Sequence, residues 1–152
     1  MELLLKEDYM RQALSQARVA AEQGEIPVGA VLVDENGSVL AATHNLTEAS
    51  HSPLAHAEML ALEEGCRKKG GWRLSDCALY VTLEPCPMCM GAIVHARVGR
   101  VVYGAKDARA GACGSLLDLT AYPLESTPKC EGGLLAEESQ ELLRSFFRAR
   151  RS

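Results

Sequence analysis

The amino-acid sequence predicts an α/β protein with a mixed sheet and helices covering its faces. Three observations carry that expectation. Short apolar stretches alternate with helix-spaced ones along the chain. Two of the apolar stretches flank Asn36-Gly37, a pair suited to an antiparallel hairpin. A strand, a helix and a strand then succeed one another between residues 78 and 103, which calls for a parallel crossover.

Each element follows from its residues. Between Glu7 and Gln23, Ala13, Leu14, Ala17, Ala20 and Ala21 recur at helical spacing, and Gly24 supplies the stop. Residues 27–33 (PVGAVLV) and 38–43 (SVLAAT) read as strands around the turn Asp34-Glu35-Asn36-Gly37. After a polar loop carrying Asn45 and His51-Ser52-Pro53, helical spacing returns over 56–69 through Met59, Leu60 and Leu62, ending at Gly70-Gly71. Residues 78–83 (ALYVTL) form a continuous apolar strand, and 88–96 hold good helix formers behind Pro87, which suits a first helical position. Residues 100–103 make another strand. The stretch 105–133 is Gly-rich and irregular, and 134–150 close as a helix through Leu135, Leu142, Leu143, Phe146 and Phe147.

A length of 152 residues suits one domain spanning 1–152, and 47% apolar with 24% charged residues is ordinary for a globular chain. The opening MELLLKEDYM lacks the basic start and apolar length of a secretory signal, and no run approaches the roughly 20 apolar residues of a membrane span. A cytoplasmic protein without membrane contact is expected. Six cysteines at 66, 77, 86, 89, 113 and 130 show no regular framework, so reduced thiols are expected. The net charge of −4 excludes a protein that coats nucleic acid generally, yet cations cluster locally. Arg97, Arg100, Lys106 and Arg109 face only Asp107, and Arg144, Arg148, Arg150 and Arg151 crowd the end.

The chemistry centres on VTLEPCPMCMG, residues 81–91. Cys86 and Cys89 at this spacing, opening a helix after a strand, also fit a thiol-redox pair. They equally fit a closed structural metal site, with Cys66, Cys77, Cys113, His51 or His95 as a fourth ligand. A third reading uses His56-Ala57-Glu58 at the head of the preceding helix. Both helix starts can lie at one edge of the sheet, so His56, Cys86 and Cys89 would hold zinc and leave its fourth position open. Two thiolates cancel the metal's charge, and two helix N-termini aimed at the site would restore positive potential. Glu58, if not a ligand, is placed to carry protons.

His-x-Glu followed by Pro-Cys-x-x-Cys is the signature of zinc nucleobase deaminases. The longer runs EIPVGAVLV, LAHAEMLAL, LYVTLEPCPMCMGAIVHARVGRVVYGAKD, AGACGSLLDL and LLRSFFRARR resemble the bacterial tRNA-specific adenosine deaminase family over nearly the whole chain. That resemblance implies a three-layer α/β/α cytidine-deaminase-like fold, a homodimer, and one Zn2+ per subunit. It implies conversion of adenosine to inosine at the wobble position of a tRNA anticodon loop. His56, Cys86 and Cys89 would be the zinc ligands and Glu58 the proton shuttle. Asn45 would hydrogen-bond the nucleoside, Val28 would shape the base pocket, and the backbone beside Ala57 and Glu84 would line it. One departure stands out: where the tRNA enzymes carry an Asn-His pair, this chain has Glu125-Ser126. It motivates the alternative of a free purine base or nucleoside deaminase, such as a guanine deaminase. A zinc-stabilised RNA-binding module without catalysis is the reading from another class.

Overall fold

The computed structural model describes residues 2–151, with side-chain surroundings given for 5–150. The elements run α1 (Glu2–Glu22), β1 (Gly29–Val33), β2 (Val39–His44), α2 (Thr47–Ser50), α3 (Ala57–Lys69), β3 (Ala78–Leu83), α4 (Pro87–His95), β4 (Arg100–Ala105), β5 (Lys129–Glu131) and α5 (Ala136–Arg151), with a single 3₁₀ turn at Leu119–Ala121. The strands form one sheet in the order β2-β1-β3-β4-β5. β1 pairs antiparallel with β2 and β3, whereas β4 runs parallel to β3 and to β5. The expected α/β class, mixed sheet and three layers are all present.

Strand alternation builds the layers, because successive side chains leave a strand on opposite faces. Ala30 and Leu32, Leu79 and Val81, and Val101 and Tyr103 point to one face, where Ala57, Ala61 and Leu62 of α3 and Met90 and Ile93 of α4 cover them. The intervening Val31, Val33, Tyr80 and Val102 point to the other, beneath Met10, Ala13 and Leu14 of α1, with Leu142 of α5 packed alongside. α1 lies close enough on β1 that a Cβ at Gly29 would run into the Ala13 carbonyl. Only glycine permits that approach.

Four features differ from the sequence reading. α1 begins at Glu2 rather than Glu7. The hairpin closes through a longer turn than a two-residue Asn-Gly loop: the Asp34 carboxylate accepts the N–H groups of Asn36 and Ser38 at 2.9 Å each, and Gly37 takes φ 81°. β5 lies inside the stretch expected to be irregular, and so does the 3₁₀ turn. Phe147 is 42% exposed instead of packing on the core, its ring set edge-on to Phe146. Among the described residues, no helix is long and apolar enough to cross a membrane.

Candidate metal and deaminase site

Two helices begin at the same place. His56 is the residue preceding α3 and Cys86 the residue preceding α4, both with extended backbone (φ −73°, ψ 150° and φ −77°, ψ 172°). Pro87 occupies the first turn of α4, where its missing N–H costs nothing. Cys89, one turn further on, is fully buried beside Cys86. The positive ends of both helices therefore converge on one point.

At that point His56 Nδ1 lies 3.6 Å from Cys86 Sγ and 3.5 Å from Cys89 Sγ. The three donor atoms sit within 4.8 Å of one another. Zinc bonds of about 2.3 Å to sulfur and 2.0–2.1 Å to nitrogen, opened to a tetrahedral angle, require a sulfur-nitrogen separation of about 3.6 Å. The protein atoms meet that spacing. The thiols themselves want a cation: Cys86, bonded by the Cys89 thiol and by His56, is held down to about 4, while Cys86 and burial drive Cys89 far up. Without a cation between them, the pair keeps one proton. His56 is raised in turn, first by its bond to Cys86 and against the opposing effect of burial.

Glu58 lies in the first turn of α3 and is 4% exposed. Burial pushes its carboxyl up to about 7, against the lowering effect of its own N–H and of His56. Glu58, His56 and Cys86 line one wall of a cavity of about 170 Å³, and Val28 and Asn45 line another. Of the sequence-expected residues, Glu84 also borders this cavity, whereas Ala57 does not. Ala57 has its N–H on Asn45 Oδ1 at 2.9 Å and its carbonyl on the Thr43 hydroxyl at 2.7 Å. Asn45 donates to the Ile26 carbonyl at 3.2 Å. One amide proton and one oxygen lone pair of Asn45 remain for a ligand.

Sequence reasoning missed much of the rim. Ile26, Thr47, Leu83, Asp107 and Ala110 also line the cavity. Two buried carboxylates bring them there. Glu25, 1% exposed, accepts the N–H groups of Glu48 at 3.0 Å and Ala49 at 2.8 Å, together with the Thr47 hydroxyl at 3.4 Å, and so holds α2. Glu84, 2% exposed, turns its carboxylate away from the cavity to accept Asp107 N–H at 3.0 Å, Cys113 N–H at 2.9 Å, Ser115 N–H at 3.2 Å and the Ser115 hydroxyl at 2.5 Å. Burial alone would raise both groups, but these donors outweigh it and hold each below its ordinary value. A buried acid after a strand was the one available signal, and a single sequence does not reveal burial.

Glu125 borders a different cavity, with Gly91, Val94, His95, Arg97 and Leu124, and pairs with Arg97 at 2.5 Å. The terminal arginines are engaged as well. Arg144 and Arg148 reach Glu141 at 3.4 and 3.2 Å, while Arg150 lies over the Phe146 ring and donates to the Gly24 carbonyl. Arg151's side chain lies outside the described residues.

Fold and donor set together define a zinc-type deaminase scaffold. Residues 5–105 match the family described as cytidine and deoxycytidylate deaminase zinc-binding region, and the chain belongs to that family. Within it, the chain is 47% identical over 141 residues to the tRNA-specific adenosine deaminase of Bacillus subtilis, covering 92% of this chain and 87% of the relative. A structure reported with studies of A-to-I editing by tRNA deaminases at the wobble position superposes with a TM-score of 0.86 at 42% identity, covering 90% of this chain and 99% of that one. A guanine deaminase from Bacillus subtilis superposes less closely, with a TM-score of 0.65 at 34% identity, over 95% of this chain and 92% of that one.

Proposed function

We propose that the protein is a zinc-dependent hydrolase that converts adenosine to inosine at the wobble position of tRNA. The observation that carries the reading is the buried Glu58 carboxyl sharing a small cavity with the His56, Cys86 and Cys89 donor set. A deaminase needs a proton carrier beside a metal, and a binding module or redox pair does not. The identity to tRNA-specific relatives supports the substrate class.

In this reading His56, Cys86 and Cys89 hold one zinc per subunit. Zinc supplies a Lewis-acid centre that activates water for attack. Glu58 takes the proton from the attacking water, passes it to ring N1 as the bond to C6 forms, and assists departure of ammonia. A carboxyl held near 7 can both accept and release a proton close to neutral pH. Asn45 orients the nucleoside with its free amide proton and lone pair, and Val28 sets the width for the base. The backbone beside Glu84 and Ala57 completes the pocket. The base has to leave its stack to enter a cavity of about 170 Å³, which suits an unpaired anticodon loop. The domain spans 1–152, the assembly is a homodimer, and a tRNA substrate is the basis for a cytoplasmic location.

The test offers purified protein an anticodon stem-loop and, side by side, free purine bases and nucleosides. Inosine in the stem-loop is expected. Ammonia from guanine with an unmodified stem-loop would instead establish the free-base alternative. Glu58→Gln should keep its metal and lose turnover by about 10²-fold or more.

A further inference from the structure

A second pair of thiols meets at the edge of the sheet, away from the donor cluster. Cys130 is the middle residue of the edge strand β5, in register with Val101 of β4. Cys113 belongs to the segment clamped by Glu84, through its own N–H at 2.9 Å. Both are half-buried and pack on the same core. Cys113 Sγ lies 3.4 Å from Met90 Sδ.

The two thiols hydrogen-bond to each other. That bond pulls Cys130 below the ordinary thiol range and, together with burial, lifts Cys113 above it. One sulfur is thus the better nucleophile, and its neighbour keeps the proton. The remaining thiols are differently placed: Cys66 donates to the Trp72 carbonyl at 3.7 Å, and Cys77 is 2% exposed in the core. Deamination has no use for Cys113 or Cys130.

We propose that Cys113 and Cys130 are a thiol-oxidation site that closes to a reversible disulfide, with hydrogen peroxide as the oxidant. The Cys130 thiolate attacks one peroxide oxygen, the O–O bond breaks, and the hydroxide released takes a proton to become water. Cys113 sulfur then attacks the resulting sulfenic sulfur, the S–O bond breaks, and a second water leaves with the remaining proton. The two thiols lose two electrons and two hydrogens, and one peroxide becomes two waters. The link joins the sheet edge to the segment whose tie to Glu84 also holds Asp107 at the cavity rim.

The full-length, zinc-loaded, reduced protein is treated with an equimolar amount of hydrogen peroxide. Free thiols are then alkylated and peptides mapped without reduction, with released zinc measured in parallel. A crosslinked peptide joining Cys113 to Cys130, lost on adding dithiothreitol, is expected with zinc retained. Closing a loop of this size should raise Tm by about 5–10 °C. Cys130→Ser should abolish the crosslinked peptide, and Cys66→Ser should preserve it. The proposal is overturned if Cys113 and Cys130 both stay alkylatable at the dose that oxidises Cys86 and Cys89, or if Cys130 advances to sulfinic acid without a crosslink. Mapping of the unmutated protein decides this even if a serine variant folds poorly. The readout is linkage rather than turnover, so its outcome is separate from that of the proposed substrate.

Discussion

Asn45 Oδ1 accepts the Ala57 N–H at 2.9 Å, joining the loop after β2 to the first residue of α3. Ala57 is fully buried, so this amide has no access to water as a substitute partner. The same side chain borders the cavity opposite Glu58. Asn45→Ala is therefore expected to lower stability by about 1–3 kcal/mol, the cost of stranding a buried donor. It should also reduce kcat/KM on a stem-loop. Asn45→Asp keeps the acceptor and should recover most of the stability without the affinity. Urea melts alongside kinetics separate the two effects.

Acid should weaken the rim of the cavity. Glu25 and Glu84 both have folded pKa values below their ordinary 4.5, so the unfolded chain binds protons more readily. Their contribution to stability is full above 4.5 and is lost as pH falls through the lower folded values. Tm followed from about pH 6 to about pH 3 should decline, and Glu25→Gln and Glu84→Gln should each flatten the curve. An unchanged slope in both variants contradicts the assignment.

Removal of metal should leave Cys86 and Cys89 sharing one proton, with Cys86 ionised from about pH 4 upward. Chelation is expected to abolish turnover, lower Tm and make Cys86 the first thiol alkylated at neutral pH. Peptide mapping after a brief pulse of iodoacetamide checks the order. Preferential labelling of Cys77, which is buried in the core, would run against it.

Gly111 touches the Glu84 clamp directly. A Cβ there would collide with the Glu84 carboxyl and approach the Asp107 carbonyl at 2.5 Å. Gly111→Ala should cost about 1–3 kcal/mol by overpacking. Because Asp107 and Ala110 border the cavity, KM should rise along with the loss of stability. A thermal melt and a substrate titration on the same preparation test both.

The fold was legible wherever local pattern coincides with burial. Alternation in 29–33 and 78–83 predicts strands because the sheet is covered on both faces, and Gly24 and Gly70 mark helix ends where the backbone turns to positive φ. β5 escaped notice because Lys129-Cys130-Glu131 is three residues long and is stabilised by pairing with β4 rather than by its own composition. α2 escaped for a related reason: a four-residue helix is held by Glu25, more than twenty positions earlier in the chain.

The site divides in the same way. His56, Cys86 and Cys89 could be grouped in advance because zinc dictates residue types and spacing, and helix starts after strands fall at one sheet edge. Asp107 and Ala110 could not, since they reach the cavity through hydrogen bonds to Glu84 that no local pattern encodes. The acidic charge at Glu125, which suggested altered substrate seating from the sequence, is paired with Arg97 beside another cavity.

The placement of His56 and Cys86 just ahead of two helices has a kinetic consequence. A ligand on a loop can swing aside and let an ion go, but Cys89 sits one turn inside α4, and His56 is continuous with α3. Full release requires fraying of helical turns whose residues Ala57 and Met90 are sealed in the core. An ion seated there would exchange at the pace of local unfolding, so metal lifetime becomes a clock for the opening of the sheet edge.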